Sequence, residues 1–178
     1  MFLPEKAMQV AFVVEDIHTA MTEMTGSLGA GPWFLRERGI AANQIYRGAS
    51  VQTELAIAMA YSGDILLELI QQLDDGPSVF RDVVEKSGFG LHHIGIGAKD
   101  FDVTLSRYVE AGHVLAFQAK VANGARIAYL EKRGLPWMIE IIELLDAAAA
   151  MFAGFRQAHL EWSGKFEIRP LVALRPET

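Results

Sequence analysis

Four polar residues stand in runs that are otherwise apolar. Glu68 lies in Ile65-Leu66-Leu67-Glu68-Leu69-Ile70 and Glu140 in Trp137-Met138-Ile139-Glu140-Ile141-Ile142, while Gln9 and His93 open Gln9-Val10-Ala11-Phe12-Val13-Val14 and His93-Ile94-Gly95-Ile96. Side chains alternate along a strand, so Val10, Phe12 and Val14 share the face opposite Gln9, Ala11 and Val13. By the same rule Ile65, Leu67 and Leu69 oppose Glu68, Ile139 and Ile141 oppose Glu140, and His92, Ile94 and Ile96 oppose His93. A carboxylate buried without a partner costs several kcal/mol or takes up a proton. Neither acid has a basic residue in its strand, since segments 64–72 and 135–146 contain no Lys or Arg. A divalent cation satisfies both acids at once, with imidazole and an amide oxygen completing an N/O ligand set. The chain has no Cys, so thiolate ligands, disulfides and a cysteine nucleophile are excluded.

The elements that position these residues recur in step. Gln9 and His93 are 84 positions apart, as are Asp16 and Asp100; Glu68 and Glu140 are 72 apart, so the first copy is longer by 12 residues. In each copy an apolar run ends at an Asp suited to a helix N-cap, Asp16 or Asp100, and a helical stretch follows, 17–28 or 101–111, stopping at Gly29 or Gly112. Three β-rich runs come next, near 33–38, 52–61 and 65–71 in the first copy and 113–121, 125–131 and 137–144 in the second. The expected fold class is α+β: one domain over 1–178 made of two β-α-β-β-β modules, 6–75 and 89–145, with a linker and one short helix at 77–87. The extra length of the first copy falls between Gly31 and Gly48, where Gly and Pro interrupt the periodicity. Segment 146–178 is expected to form a C-terminal helix and an edge strand near 166–171. The helix stripe Phe152, Phe155, His159 and Trp162 reads as core packing or a dimer surface.

Composition bounds the function. With 178 residues, 51% hydrophobic and 21% charged, the chain suits one compact domain and not a disordered one. A net charge of −6 argues against a nucleic-acid partner. No segment approaches a membrane span, and MFLPEKAMQV places an acid and a base where a signal sequence would be apolar, so neither membrane insertion nor secretion is expected and the location is cytoplasmic. Gly29-Ala30-Gly31-Pro32 lacks the Lys-Ser/Thr of a phosphate loop. His18, His92, His113 and His159 read as structural or solvated.

The repeated module, the strings QVAFVVED and HHIGIGAKD, and the acid-bearing strings ILLELIQ and WMIEIIEL resemble the vicinal oxygen chelate superfamily over about residues 6–145. That superfamily includes glyoxalase I, methylmalonyl-CoA epimerase, extradiol dioxygenases and the bleomycin-resistance proteins. The resemblance implies a cup-shaped mixed-sheet barrel around one divalent metal ion (Zn, or Ni, Co or Mn), held by the first and fourth strands of each module at Gln9, Glu68, His93 and Glu140. The order Gln, Glu, His, Glu is similar to that of a zinc-type glyoxalase I, whereas the flanking strings are similar to epimerases. No second His stands at a ligand position, which disfavours extradiol iron chemistry.

What the resemblance implies is a metal-dependent lyase or isomerase/epimerase that removes a proton next to a carbonyl and stabilises the enolate or enediolate on the metal. Its substrate is a small carbonyl or thioester compound, with Glu140 as base and Glu68 as acid on the opposite face. Trp33, Phe34, Tyr46, Tyr61 and Tyr129 are candidate substrate contacts, the first three in a segment that could close over the ligand. Arg36, Arg38 and Arg47 could meet a carboxylate or CoA phosphate but read as solvated surface. A homodimer without nucleic-acid or membrane partners is expected. The alternative function is a metal-free binding protein of the bleomycin-resistance type, which sequesters a small molecule.

Overall fold

Asp16 and Asp100 each cap a helix. Their carboxylates accept from the backbone N–H of Thr19 (2.7 Å) and Val103 (3.1 Å) at the starts of α1 (Ile17–Leu28) and α3 (Phe101–Glu110). Gly29 then ends α1 in the left-handed conformation that glycine adopts without strain. The computed structural model, which describes residues 5–171, places these helices on the outside of one curved sheet.

Eleven strands make that sheet. The first module supplies β1 (Ala7–Val13), β2 (Trp33–Ile40), β3 (Ala42–Tyr46), β4 (Ala49–Ser50), β5 (Glu54–Ser62) and β6 (Ile65–Gln72). After the linker helix α2 (Val79–Ser87), the second supplies β7 (Gly90–Ala98), β8 (Val114–Lys120), β9 (Arg126–Glu131) and β10 (Met138–Glu143). Helix α4 (Asp146–Leu160) and β11 (Ile168–Pro170) follow. The spatial order is β11-β2-β5-β6-β1-β7-β10-β9-β8-β3-β4. First and fourth strands pair in parallel within each module, β1 with β6 and β7 with β10, and β1 meets β7 antiparallel at the centre. The sheet curls without closing, and the four functional strands are its four middle ones.

Alternation sorts the core as expected. Val10, Phe12, Leu67 and Leu69 pack outward with Ile17 and Met21 of α1, and Ile96 and Ile141 pack outward with Phe101 and Tyr108 of α3. The concave face carries Ala11, Val13, Ile70 and Met138, closed by Phe80 of α2 and by Phe117 and Tyr129.

Three features correct or sharpen the expectation. The 12-residue excess of the first copy is not a free loop but the β3–β4 hairpin, which leaves β2 at one side of the sheet and pairs with β8 at the other, Ala42 opposite Lys120 and Tyr46 opposite Phe117. The buried Gln44 holds it, donating to the carbonyls of Ala41 and Thr53 and accepting from Thr53 N–H. Arg47 ties it to Asp82 and Glu131. Second, the α4 stripe is used within the chain: Phe152 and Phe155 are buried against Leu66 and Ile142, and Phe155 stacks on Phe34 with ring centroids 4.1 Å apart. Of the two readings of that stripe, core packing holds for Phe152 and Phe155. Third, β1 and β7 are bulged at equivalent points, so that Met8 and His92 fall between paired positions. No helix among the described residues is long and apolar enough to cross a membrane.

Candidate functional site

Gln9, Glu68, His93 and Glu140 meet on the concave face, each at most 4% exposed. The antiparallel pairing of β1 with β7 sets Gln9 opposite Gly95 and Ala11 opposite His93, a small residue across from each large polar one. The room is needed, for a Cβ at Gly95 would lie 3.0 Å from the Cβ of Gln9. Gln9 Nε2 donates to Glu68 Oε2 at 2.5 Å, and His93 Nε2 stands 3.3 Å from that oxygen and 3.0 Å from Glu140 Oε2. One donor atom from each of Glu68, His93 and Glu140 lies within 4.8 Å of the others. Gln9 Oε1 is buried without a hydrogen-bond partner, while His93 Nε2 meets Glu140 and Glu68 only as an ion pair. Buried polar atoms in folded proteins are ordinarily paired. With an oxygen of Glu68, Gln9 Oε1, His93 Nε2 and Glu140 Oε2 make a set of one imidazole nitrogen and three oxygen donors, which suits a divalent cation.

His92 prepares that cage, which alternation did not foresee. The β7 bulge turns its ring to the same side as His93, because an extra residue in one strand shifts the order of facing. Its Nε2 is 3.2 Å from the Val79 carbonyl, which can only accept, so Nε2 carries the proton and Nδ1 is a lone pair. The Nδ1 atoms of His92 and His93 are 2.8 Å apart, so His93 must donate from Nδ1 and present its other nitrogen to the site. Burial, and then the neighbouring His93, hold His92 well below the usual histidine range, which keeps it neutral. His92→Phe preserves a ring beside Phe80 and Tyr129 and removes the acceptor. Loss of such an orienting partner is expected to weaken metal binding by roughly 10- to 100-fold. Competition against a chromophoric chelator measures this, and unchanged affinity would show that something else orients His93.

When no cation is bound, the buried charges of the cluster compensate one another. Burial raises Glu68 above the usual carboxylate range against the opposing pull of His93. Burial alone would depress His93, but Glu140 and Glu68 outweigh it and push its pKa up to about 9. A histidine raised from about 6.5 when unfolded contributes stability that is complete below pH 6.5 and lost as pH climbs through 9, on the order of 3 kcal/mol. Glu68, also raised, adds a loss of the same sign starting from a lower pH. Metal-stripped protein is therefore expected to weaken in urea titrations between pH 6.5 and pH 9, while its metal affinity rises because the cation displaces the imidazole proton. Stability that is flat or rising over that window would contradict the assignment.

A cavity of about 430 Å³ opens from the cluster, walled by Ile57, Met59, Phe80, Phe117 and Ile127 and closed along one side by Ala148, Met151 and Phe152 of α4. Of the five candidate aromatic contacts only Tyr129 lines it. Trp33 points to the convex side, buried under α1 with its indole N–H on Thr25. Phe34 and Tyr61 pack beneath α4, and Tyr46 donates to Asp82 at 2.8 Å. Arg36, read from sequence as solvated, lines the cavity instead. Alternation in β2 carries the missing signal: Trp33 and Leu35 face α1, so Phe34 and Arg36 face inward.

The family profile described as the glyoxalase/bleomycin resistance protein/dioxygenase superfamily matches residues 8–129. No curated protein matches the chain in sequence. Similar solved structures include methylmalonyl-CoA epimerase from Mycobacterium tuberculosis, at 19% identity and TM-score 0.58 over 84% of this chain and 97% of that one. A hypothetical protein from Bacillus halodurans shows 22% identity and TM-score 0.56 over 80% and 96%. Streptomyces coelicolor methylmalonyl-CoA epimerase in complex with 2-nitronate-propionyl-CoA shows 15% identity and TM-score 0.52 over 78% and 96%. At such identities the likeness is one of fold. With its profile covering both opening strands and Glu68, the chain belongs to the glyoxalase/bleomycin resistance protein/dioxygenase superfamily, the vicinal oxygen chelate fold.

Proposed function

We propose that this protein is a divalent-metal-dependent enzyme of the isomerase/epimerase or lyase type that moves a proton at the carbon next to a carbonyl. The observation that carries the reading is the buried Gln9–Glu68–His93–Glu140 cluster at the cavity wall, with donor atoms of Glu68, His93 and Glu140 within 4.8 Å of one another and Gln9 Oε1 unpartnered beside them. The fold is shared with methylmalonyl-CoA epimerases, one of them in complex with methylmalonyl-CoA, and this supports a small carbonyl or thioester substrate.

Gln9 Oε1, Glu68, His93 Nε2 and Glu140 would hold the cation, which when bound stabilises negative charge developing on the substrate's carbonyl oxygen. Glu140 takes the proton from the adjacent carbon. Glu68, its counterpart from the other module, approaches from the other side and returns a proton to the opposite face. A carboxyl group placed on the face opposite Glu140 is what return of the proton to that face requires. The apolar walls of Ile57, Met59 and Ile127 exclude water from the transfer.

Incubation of metal-loaded protein in D2O with hemithioacetals, acyl-CoA thioesters, and β-keto or enone compounds tests the reading by NMR. Deuterium should enter next to the carbonyl in one of these classes and fail to do so after chelation. A protein that takes up no metal and binds such compounds without exchange is instead a sequestering protein.

A further inference from the structure

Among the described residues, Arg36 is the one arginine that is both sheltered and unpaired. Among the described residues Arg38, Arg47, Arg81, Arg107, Arg126, Arg156 and Arg169 all pair with carboxylates, and Arg133 is exposed to solvent. Arg36 lines the cavity, and its Nε is buried without a hydrogen-bond partner. Leaving a guanidinium donor desolvated and unmade is costly. The surroundings are shaped around it: β2 is bulged between Arg36 and Gly39, and a Cβ at Gly39 would lie 2.6 Å from the Arg36 Nε. Register fixes its place. Arg36 pairs with Ile57 and Ile57 with Ile70, so Arg36 stands two strands across and two residues along from Glu68 on the same face. Strand spacing makes that about 12 Å between backbones.

Charge decides what belongs there. A divalent cation would balance the carboxylates of Glu68 and Glu140 with His93 neutral, which leaves Arg36 as the single uncompensated positive charge in a chamber whose other lining is neutral and largely apolar. We propose that the cavity takes a monoanionic substrate with an apolar body, its carboxylate seated on Arg36 and its reacting carbonyl at the Glu68–Glu140 end. This rests on the metal-dependent reading above. A single carboxylate matches one guanidinium in charge and in its two-pronged geometry, whereas a dianionic phosphate would bring one charge too many.

Calorimetric titration of zinc-loaded protein with hexanoate, hexanamide and hexyl phosphate tests this. Hexanoate should bind roughly 10- to 100-fold more tightly than hexanamide, the usual gain from a charge-assisted contact, and more tightly than hexyl phosphate. Arg36→Gln should remove the preference while leaving hexanamide affinity unchanged, and Arg36→Lys should retain part of it. Equal binding of acid and amide to the wild type overturns the proposal, as does a preference that survives Arg36→Gln, which would place the carboxylate on the metal instead. Tighter binding of hexyl phosphate overturns the choice of carboxylate. Zinc content measured on the same samples reports separately: a protein without zinc fails the metal reading, and the hexanoate–hexanamide comparison still decides Arg36.

Discussion

Glu140→Gln is expected to lower the rate of deuterium exchange next to the substrate carbonyl by about 10³-fold, within the range for loss of a positioned general base, while the protein still binds its metal. The substitution is nearly isosteric, and Gln9 shows that the site already accommodates an amide beside Glu68. Glutamine keeps an oxygen directed at the cluster but has no lone pair basic enough to hold the proton. One buried acid also disappears from a pocket where Glu68 and Glu140 repel each other, so folding should not suffer. Glu68→Gln separates the two carboxylates. If Glu68 serves the opposite face, its loss abolishes inversion, read by chiral chromatography, but leaves exchange on the Glu140 face. Exchange at the wild-type rate in Glu140→Gln would remove Glu140 as the base.

Much of this arrangement was legible because the chain states it twice. The recurrence of Gln9 at His93 and of Glu68 at Glu140 placed all four side chains on one face before any coordinates, since alternation needs only that each run be a strand. What stayed hidden depended on partners distant in sequence. Nothing in HHIGI reports that β7 bulges at His92, because a bulge is a matter of register against β1 and leaves residue order unchanged. The glycine-punctuated stretch before Gly48 looks like a loop locally, and it becomes β3 and β4 only because β8 offers an unpaired edge. The α4 stripe announces an apolar face without saying which surface receives it. Its position over Leu66 and Ile142 shows that the helix closes the cup from within. On the substrate side, position in the longer copy does not tell which way a side chain faces: in β2 alternation turns Trp33 outward and Arg36 inward.

Adding Zn²⁺ to chelator-stripped protein is expected to raise its melting temperature by roughly 8–16 °C at free metal about a thousandfold above Kd, the shift for about 4 kcal/mol of linkage in a chain of this size. Binding is expected because the cation offsets two buried carboxylates and takes up the unpartnered Gln9 Oε1. Imidazole in the donor set favours Zn²⁺, Ni²⁺, Co²⁺ or Mn²⁺ over Mg²⁺ and Ca²⁺, so those two ions should shift the transition little. His93→Ala removes the one nitrogen ligand and should abolish the response to Zn²⁺. It also takes away the positive charge that sits between Glu68 and Glu140 when no metal is present. The metal-free variant should therefore be less stable than metal-free wild type near pH 7 and recover as the pH falls and the carboxylates take up protons. A wild type indifferent to all six ions would mean that His93 only balances two acids. The cup would then serve to hold a ligand rather than to transform it.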